Sequence, residues 1–183
     1  NSMKHAAKVF VSTEQERVDQ YSHPLYQKAV DALDGQKFEV IPPGVNETIF
    51  NQRLSATDTW QTSKLDSIPG LNKKPAILVL SRLDKKKNIE GLVKAYSESR
   101  ALRNAASLVL CVRGIDDPKR DIFNLEKEEK EVLGNIIDTI DSSGMSSQVY
   151  FLNISSQFEL AATYRYFARR GSVFALTSLY EPF

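Results

Sequence analysis

Arg82 and Lys87 lie five residues apart, in a turn between the apolar run Ala76 to Leu80 and an amphipathic stretch that opens at Asn88. Their position decides what chemistry they could do. A helix N-terminus carries partial positive charge and unpaired N–H groups, so cations placed there oppose the helix dipole. The pair makes sense if an anion binds, most simply a phosphate or diphosphate reached by both heads from different sides. A solvated Lys-rich turn is the other reading, because charge runs usually face water. Lys85 and Lys86 fit that second reading better. Glu181 is the third residue of interest. It follows the strand-like run VFAL in SLYEPF, and Pro182 stiffens the turn by fixing its own φ. A carboxylate there could accept hydrogen bonds from sugar hydroxyls or steady developing positive charge. A helix cap is its plainer role, and position alone does not choose.

The elements that must position these groups follow from the apolar pattern. The sequence predicts strand 76–80, helix 88–101 with a stripe at Ile89, Leu92, Val93 and Tyr96, and strand 107–112. Asn88 is read as the helix cap. A polar insertion, 114–125, precedes a helix over 126–141, strand 149–152, helix 157–169 and strand 172–176. The strands are continuous apolar runs, which marks a parallel sheet covered on both faces. Ligands in such sheets bind beyond the carboxyl ends of the strands. Arg82, Arg113, Asn153 and Glu181 each follow a predicted strand, so all four could border one crevice. For Arg113 a strand-end surface cation is the plainer reading.

Upstream, 6–12 reads as a strand, and Thr13 with Glu16 forms a capping-box pattern opening a helix to about Tyr21. His23-Pro24 breaks it. A second short helix is predicted over 25–33, ended by Asp34-Gly35, and a strand over 38–41, stopped by Pro42-Pro43-Gly44. Residues 46–75 show no sustained period and read as a linker or irregular segment holding the domain boundary.

Composition narrows the function classes. Hydrophobic residues make up 42% of the 183, enough for a core, and a net charge of +1 gives no broad pull toward nucleic acid or a membrane surface. There is one cysteine, Cys111, inside the run Leu108 to Val112, and it reads as a core thiol rather than a nucleophile. One Cys and two His allow no disulfide framework and no Cys/His metal cluster. No signal peptide and no apolar run of about 18 residues is found, so a reducing, cytoplasmic setting is expected. No G-x-G-x-x-G and no Walker loop is present, so phosphate binding would rest on side chains and a helix N-terminus. The chain starts on Asn1-Ser2-Met3 and stops just past a strand, and it is read as a piece of something longer.

Three stretches carry a resemblance: VIPPGVN (40–46), LVLSRLDKKKNIEGLVKAY (78–96) and SVFALTSLYEPF (172–183). Together they resemble the retaining, nucleotide-sugar-dependent glycosyltransferases of family 4, which have two facing Rossmann-like domains in the GT-B arrangement. Within that family, SRLDKKKN, KHAAKVFVSTEQER (4–17) and the last stretch look like the bacterial sucrose-phosphate synthases. Sucrose synthases and mannosylfructose-phosphate synthases are close alternatives. The resemblance implies an α/β fold in which 1–45 is the tail of the acceptor-side domain and 76–183 part of the donor-side domain. It implies that Arg82 and Lys87 bind the donor diphosphate and steady the leaving group. Glu181 would be the first Glu of the E-x7-E motif and contact the donor sugar; the second Glu would fall beyond Phe183. Asn153 and Ile154 would frame the nucleotide base through backbone contacts. The implied reaction is transfer of glucose from UDP-glucose to fructose 6-phosphate, with most acceptor contacts lying before Asn1. No cofactor and no metal is expected, nor any nucleic-acid or membrane partner. A binding module that no longer catalyses is the reading of another class, and 183 residues alone are expected to show little activity.

Overall fold

The computed structural model describes residues 2–26 and 28–179. The chain divides into two compact units, with the first boundary between Asn46 and Glu47. In the first unit, β1 (Val9–Val11) and β2 (Phe38–Val40) pair in parallel, with Val9 opposite Phe38. Val9, Val11, Tyr21, Val30, Ala32 and Phe38 form its core. A four-residue helix, α1 (Ser2–His5), precedes β1. Thr13 acts as the sequence suggests, its hydroxyl accepting the Glu16 N–H at 3.0 Å. The Glu16 carboxylate reaches one residue further back, to the Ser12 N–H at 2.6 Å, and a π-type turn follows over Glu16–Gln20. Among the described residues of 25–33 the expected helix is not found. Asp31 and Asp34 turn their carboxylates onto the N–H groups two residues on, at Leu33 and Gln36, which offers the backbone a turn in place of a helix.

The second unit carries a four-stranded parallel sheet in the order β5-β4-β3-β6. Its strands are β3 (Ala76–Leu80), β4 (Ser107–Cys111), β5 (Val149–Leu152) and β6 (Val173–Phe174). Leu80 stands opposite Cys111, and Cys111 opposite Leu152, so these three strands end together at one edge. Of the apolar runs predicted as buried strands, β3 and β4 are buried on both faces and β5 partly so, whereas β6 departs from the prediction, with Val173 59% and Phe174 43% exposed. On one face, α3 (Ile89–Glu98) and α6 (Lys127–Ser142) cover Ile77, Val79, Leu108 and Leu110. Ile89, Val93 and Tyr96 of α3 are at most 1% exposed, and each such burial contributes roughly 1.5–3 kcal/mol.

The other face is closed by α2 (Ala56–Asp66) and α7 (Gln157–Ala168), over Ala76, Leu78, Val109, Cys111 and Leu152. This corrects the linker expected over 46–75: eleven of its residues are a helix seated on the sheet. Only one of the residues α2 buries is apolar, Leu65; the other two are Asp58 and Gln61. Gln61 donates to the Thr163 hydroxyl at 2.9 Å, and Asp58 takes a two-pronged bond from Arg165 at 2.6 and 2.9 Å. Two further predicted elements are divided. The helix over 88–101 breaks at Ser99, whose hydroxyl accepts the Leu102 N–H at 3.3 Å and starts α4 (Arg100–Ala105). The polar insertion 114–125 holds a short helix, α5 (Pro118–Asp121), capped by Asp117.

Candidate functional site

The chain leaves β3, crosses to β4 and then β5 on one side, and returns by α7 to lay β6 on the other side of β3. Strand order therefore reverses between β3 and β6. In open parallel sheets this reversal parts the connecting loops and leaves a crevice at the carboxyl edge. The turn carrying Arg82 and Lys87 leaves β3 at that point.

Asp84 organises the turn. Its carboxylate accepts the Lys86 N–H at 2.8 Å, and its carbonyl accepts the Lys87 N–H at 2.9 Å, winding Lys85–Lys87 into a short 3-10 turn. Arg82 extends into solvent, its side chain 81% exposed, with Asp84 3.8 Å away as an ion-pair partner. At that distance and exposure the pair is weak. Lys85 is drawn away to Glu131, 2.7 Å from its ammonium. Asn88 takes the predicted N-cap position but not the side-chain role of a cap. It stands at the start of α3 in a left-handed conformation, φ 51°, and its side chain makes no cap bond. The amide instead lies over Gly91, where a Cβ would meet its Cγ at 2.9 Å. With the cap side chain turned aside, the first-turn N–H groups of α3 have no bond from it.

Segment 175–179 runs alongside. The Ala175 N–H donates to the Leu78 carbonyl at 2.8 Å, the Thr177 hydroxyl to the Lys87 carbonyl at 2.7 Å, and the Leu179 N–H to the Lys86 carbonyl at 2.8 Å. The segment that follows β6 is thus bonded to the cationic turn itself. Glu181 lies outside the described residues.

The remaining candidates share the same edge in different states. Arg113, after β4, is exposed. Asn153, after β5, has its side chain engaged on both sides, accepting the Gly114 N–H at 2.8 Å and donating to Asp116 at 3.0 Å. Ile154 is buried in the core with Leu152 and Tyr166. Arg82 and Lys87 thus share one turn, and Asn153 ties the two neighbouring loops to each other. Cys111 is 2% exposed and burial pushes its thiol up to about 12, so it is inert. Among the described residues no group of three or more His, Cys, Asp or Glu is placed to hold a metal. No described helix is long and apolar enough to cross a membrane.

Sequence reasoning missed Thr177. Its signal is faint, a hydroxyl between a strand and a predicted functional turn. It also missed the buried Asp58–Arg165 fork. There Arg165 further donates to the carbonyls of Ile49 and Asn51, at 3.2 and 2.9 Å, and holds the Asp58 carboxyl down at about 2.

Comparison with known proteins agrees with this architecture. The profile of the family described as "Glycosyl transferases group 1" matches residues 62–183. Over its whole length the chain is 35% identical to a probable sucrose-phosphate synthase of Thermosipho melanesiensis, and it spans 36% of that protein. Among solved structures, a sucrose-phosphate synthase from Thermosynechococcus elongatus superposes with a TM-score of 0.64 at 24% identity, over 99% of this chain and 37% of that one. An Anabaena protein solved with UDP and glucose superposes at 0.57 and 18% identity, over 86% of this chain and 36% of that one.

Proposed function

The chain belongs to the group 1 glycosyl transferases, and from that premise we propose that Arg82 and Lys87 hold the diphosphate of a nucleotide-sugar donor and steady it as it leaves. The observation that carries the reading is the strand reversal between β3 and β6, with Arg82 and Lys87 on the turn that leaves β3 there. Arg82 is a fork of donors extended into water, and among the described residues its ion-pair partner is Asp84, a weak contact at 3.8 Å. A guanidinium so presented can take a diphosphate with two parallel bonds at little cost in broken contacts. Lys87 adds a second charge beside the start of α3, whose N–H groups favour an anion.

The reaction proposed is glucosyl transfer from UDP-glucose to fructose 6-phosphate, with retention at the anomeric carbon. The bond from that carbon to the diphosphate breaks with its electron pair going to UDP, a bond to the acceptor hydroxyl oxygen forms, and that hydroxyl gives up its proton to the departing phosphate. Charge grows on the diphosphate as it leaves, and fixed cations stabilise it there with little reorganisation. The Anabaena neighbour solved with UDP and glucose supports the donor. The identity to the Thermosipho protein supports the acceptor. Asn153 and Ile154 would frame the base through their backbone, since one side chain is bonded to the β4 loop and the other is in the core. Glu181 would contact the sugar ring. Residues 1–45 would be the tail of the acceptor-side domain and 76–183 part of the donor-side domain.

The test is an activity screen of the full-length protein, with UDP-glucose and GDP-mannose each offered fructose and fructose 6-phosphate. Sucrose 6-phosphate from the first donor and the second acceptor is the expected product. Turnover with free fructose instead would make it a sucrose synthase. Turnover with GDP-mannose would make it a mannosylfructose-phosphate synthase. Binding of UDP without turnover in any of the four would leave a binding module.

A further inference from the structure

We propose that Thr177 is a positioning residue for Lys87, so that the segment following β6 sets where the diphosphate-binding ammonium stands. The inference rests on the donor-site reading above and adds a residue that reading does not use. Lys87 sits between two fixed points. Its N–H is bonded to the Asp84 carbonyl at 2.9 Å within its own turn. Its carbonyl accepts the Thr177 hydroxyl at 2.7 Å, from a segment 90 residues away in sequence. Immediately beyond, the chain must pass through Asn88 in the left-handed region; among the described residues no other non-glycine residue has positive φ. Such a conformation is unfavourable for most residues and persists only where the surroundings hold it.

Three features hold it here. Gly91 leaves room for the Asn88 amide, the Leu179 N–H fixes the Lys86 carbonyl at 2.8 Å, and Thr177 fixes the Lys87 carbonyl. Of these, the Thr177 bond acts on Lys87 directly. The peptide plane that follows Lys87 contains that carbonyl, and the direction of the side chain is set by the backbone angles on either side of Cα. Turning the plane redirects the ammonium. Without the hydroxyl, the carbonyl loses a partly buried partner and the turn is freed on the side facing β6. Thr177 touches no reacting atom in this account. Its effect passes through Lys87, and so should fall on the diphosphate and not on the rest of the nucleotide.

The experiment measures calorimetric affinity of the full chain for UDP and for uridine, in wild type, Thr177→Val, Thr177→Ala and Thr177→Ser, with a thermal melt of each. Loss of one positioning bond predicts UDP binding about tenfold weaker in Thr177→Val and Thr177→Ala. Thr177→Ser keeps the hydroxyl and should stay within about twofold of wild type. Uridine affinity should be the same in all four proteins. If Thr177→Val fails to fold, Thr177→Ala carries the comparison. Unchanged UDP affinity without the hydroxyl overturns this inference and leaves the donor site standing. Equal losses for UDP and uridine also overturn it, because a general loosening of the fold would do that. A wild-type chain that does not bind UDP overturns both readings.

Discussion

Arg82 and Arg165 are the same side chain in opposite circumstances. Arg165 is 12% exposed, forked onto Asp58 and bonded to two backbone carbonyls, so its donors are largely engaged in joining α7 to α2 and to the segment before it. Arg82 is 81% exposed, and Asp84 lies 3.8 Å away. The difference separates a cation that holds a fold from one that is available to hold something else. Net charge and spacing do not reveal it; the number of donors already engaged does.

The contrast can be broken most forcefully from the buried side. Asp58→Ala leaves the Arg165 guanidinium unpaired in the interior and should destabilise the second unit by about 3–5 kcal/mol. Denaturant unfolding followed by Trp60 fluorescence, the single tryptophan lying on α2, reads this directly. Loss below about 1 kcal/mol would mean that the fork is dispensable. The matching test on the exposed side is Arg82→Ala, expected to lower turnover of the full-length protein about 100-fold while moving stability by no more than about 0.5 kcal/mol. Unchanged turnover would remove Arg82 from the site.

Acid sharpens the comparison further. The Asp58 carboxyl is lowered from 3.8 to about 2, chiefly by its bond to Arg165. A depressed carboxyl stabilises the fold above its unfolded pKa, and that contribution disappears as pH falls through the folded value. Stability should therefore drop by about 2 kcal/mol between pH 4 and pH 2, and Asp58→Asn should lack that component. The smallest effect belongs to Lys85, one residue beyond Asp84. Its partner Glu131 is as exposed as it is, so Lys85→Ala should leave both the denaturation midpoint and UDP affinity unaltered. A large loss of affinity there would mean that the wrong lysine was assigned to the site.

What the sequence disclosed follows the same division. β3 and β5 could be placed to the residue because a covered parallel strand must be apolar throughout, and that run is visible without context. α2 escaped because its buried stripe, Asp58, Gln61 and Leu65, has helical spacing but polar chemistry. Hydrophobic periodicity cannot detect a face whose partners are Arg165 and Thr163 on a helix 100 residues further on. At the candidate site, the turn that carries Arg82 and Lys87 was legible from its place between an apolar run and an amphipathic stretch. Asn88 was read as a cap from residue type alone, whereas a left-handed backbone depends on the packing of Gly91. Thr177 had no local signature, since its meaning lies in a carbonyl across the strand reversal.

Cys111 has a practical consequence. The chain's single thiol lies 2% exposed within β4, and burial pushes it up to about 12. To a maleimide at neutral pH the native protein is therefore a blank. A cysteine introduced at the exposed Arg113 would take a fluorophore alone, and the arrival of a nucleotide could be followed by its emission without background from the rest of the molecule.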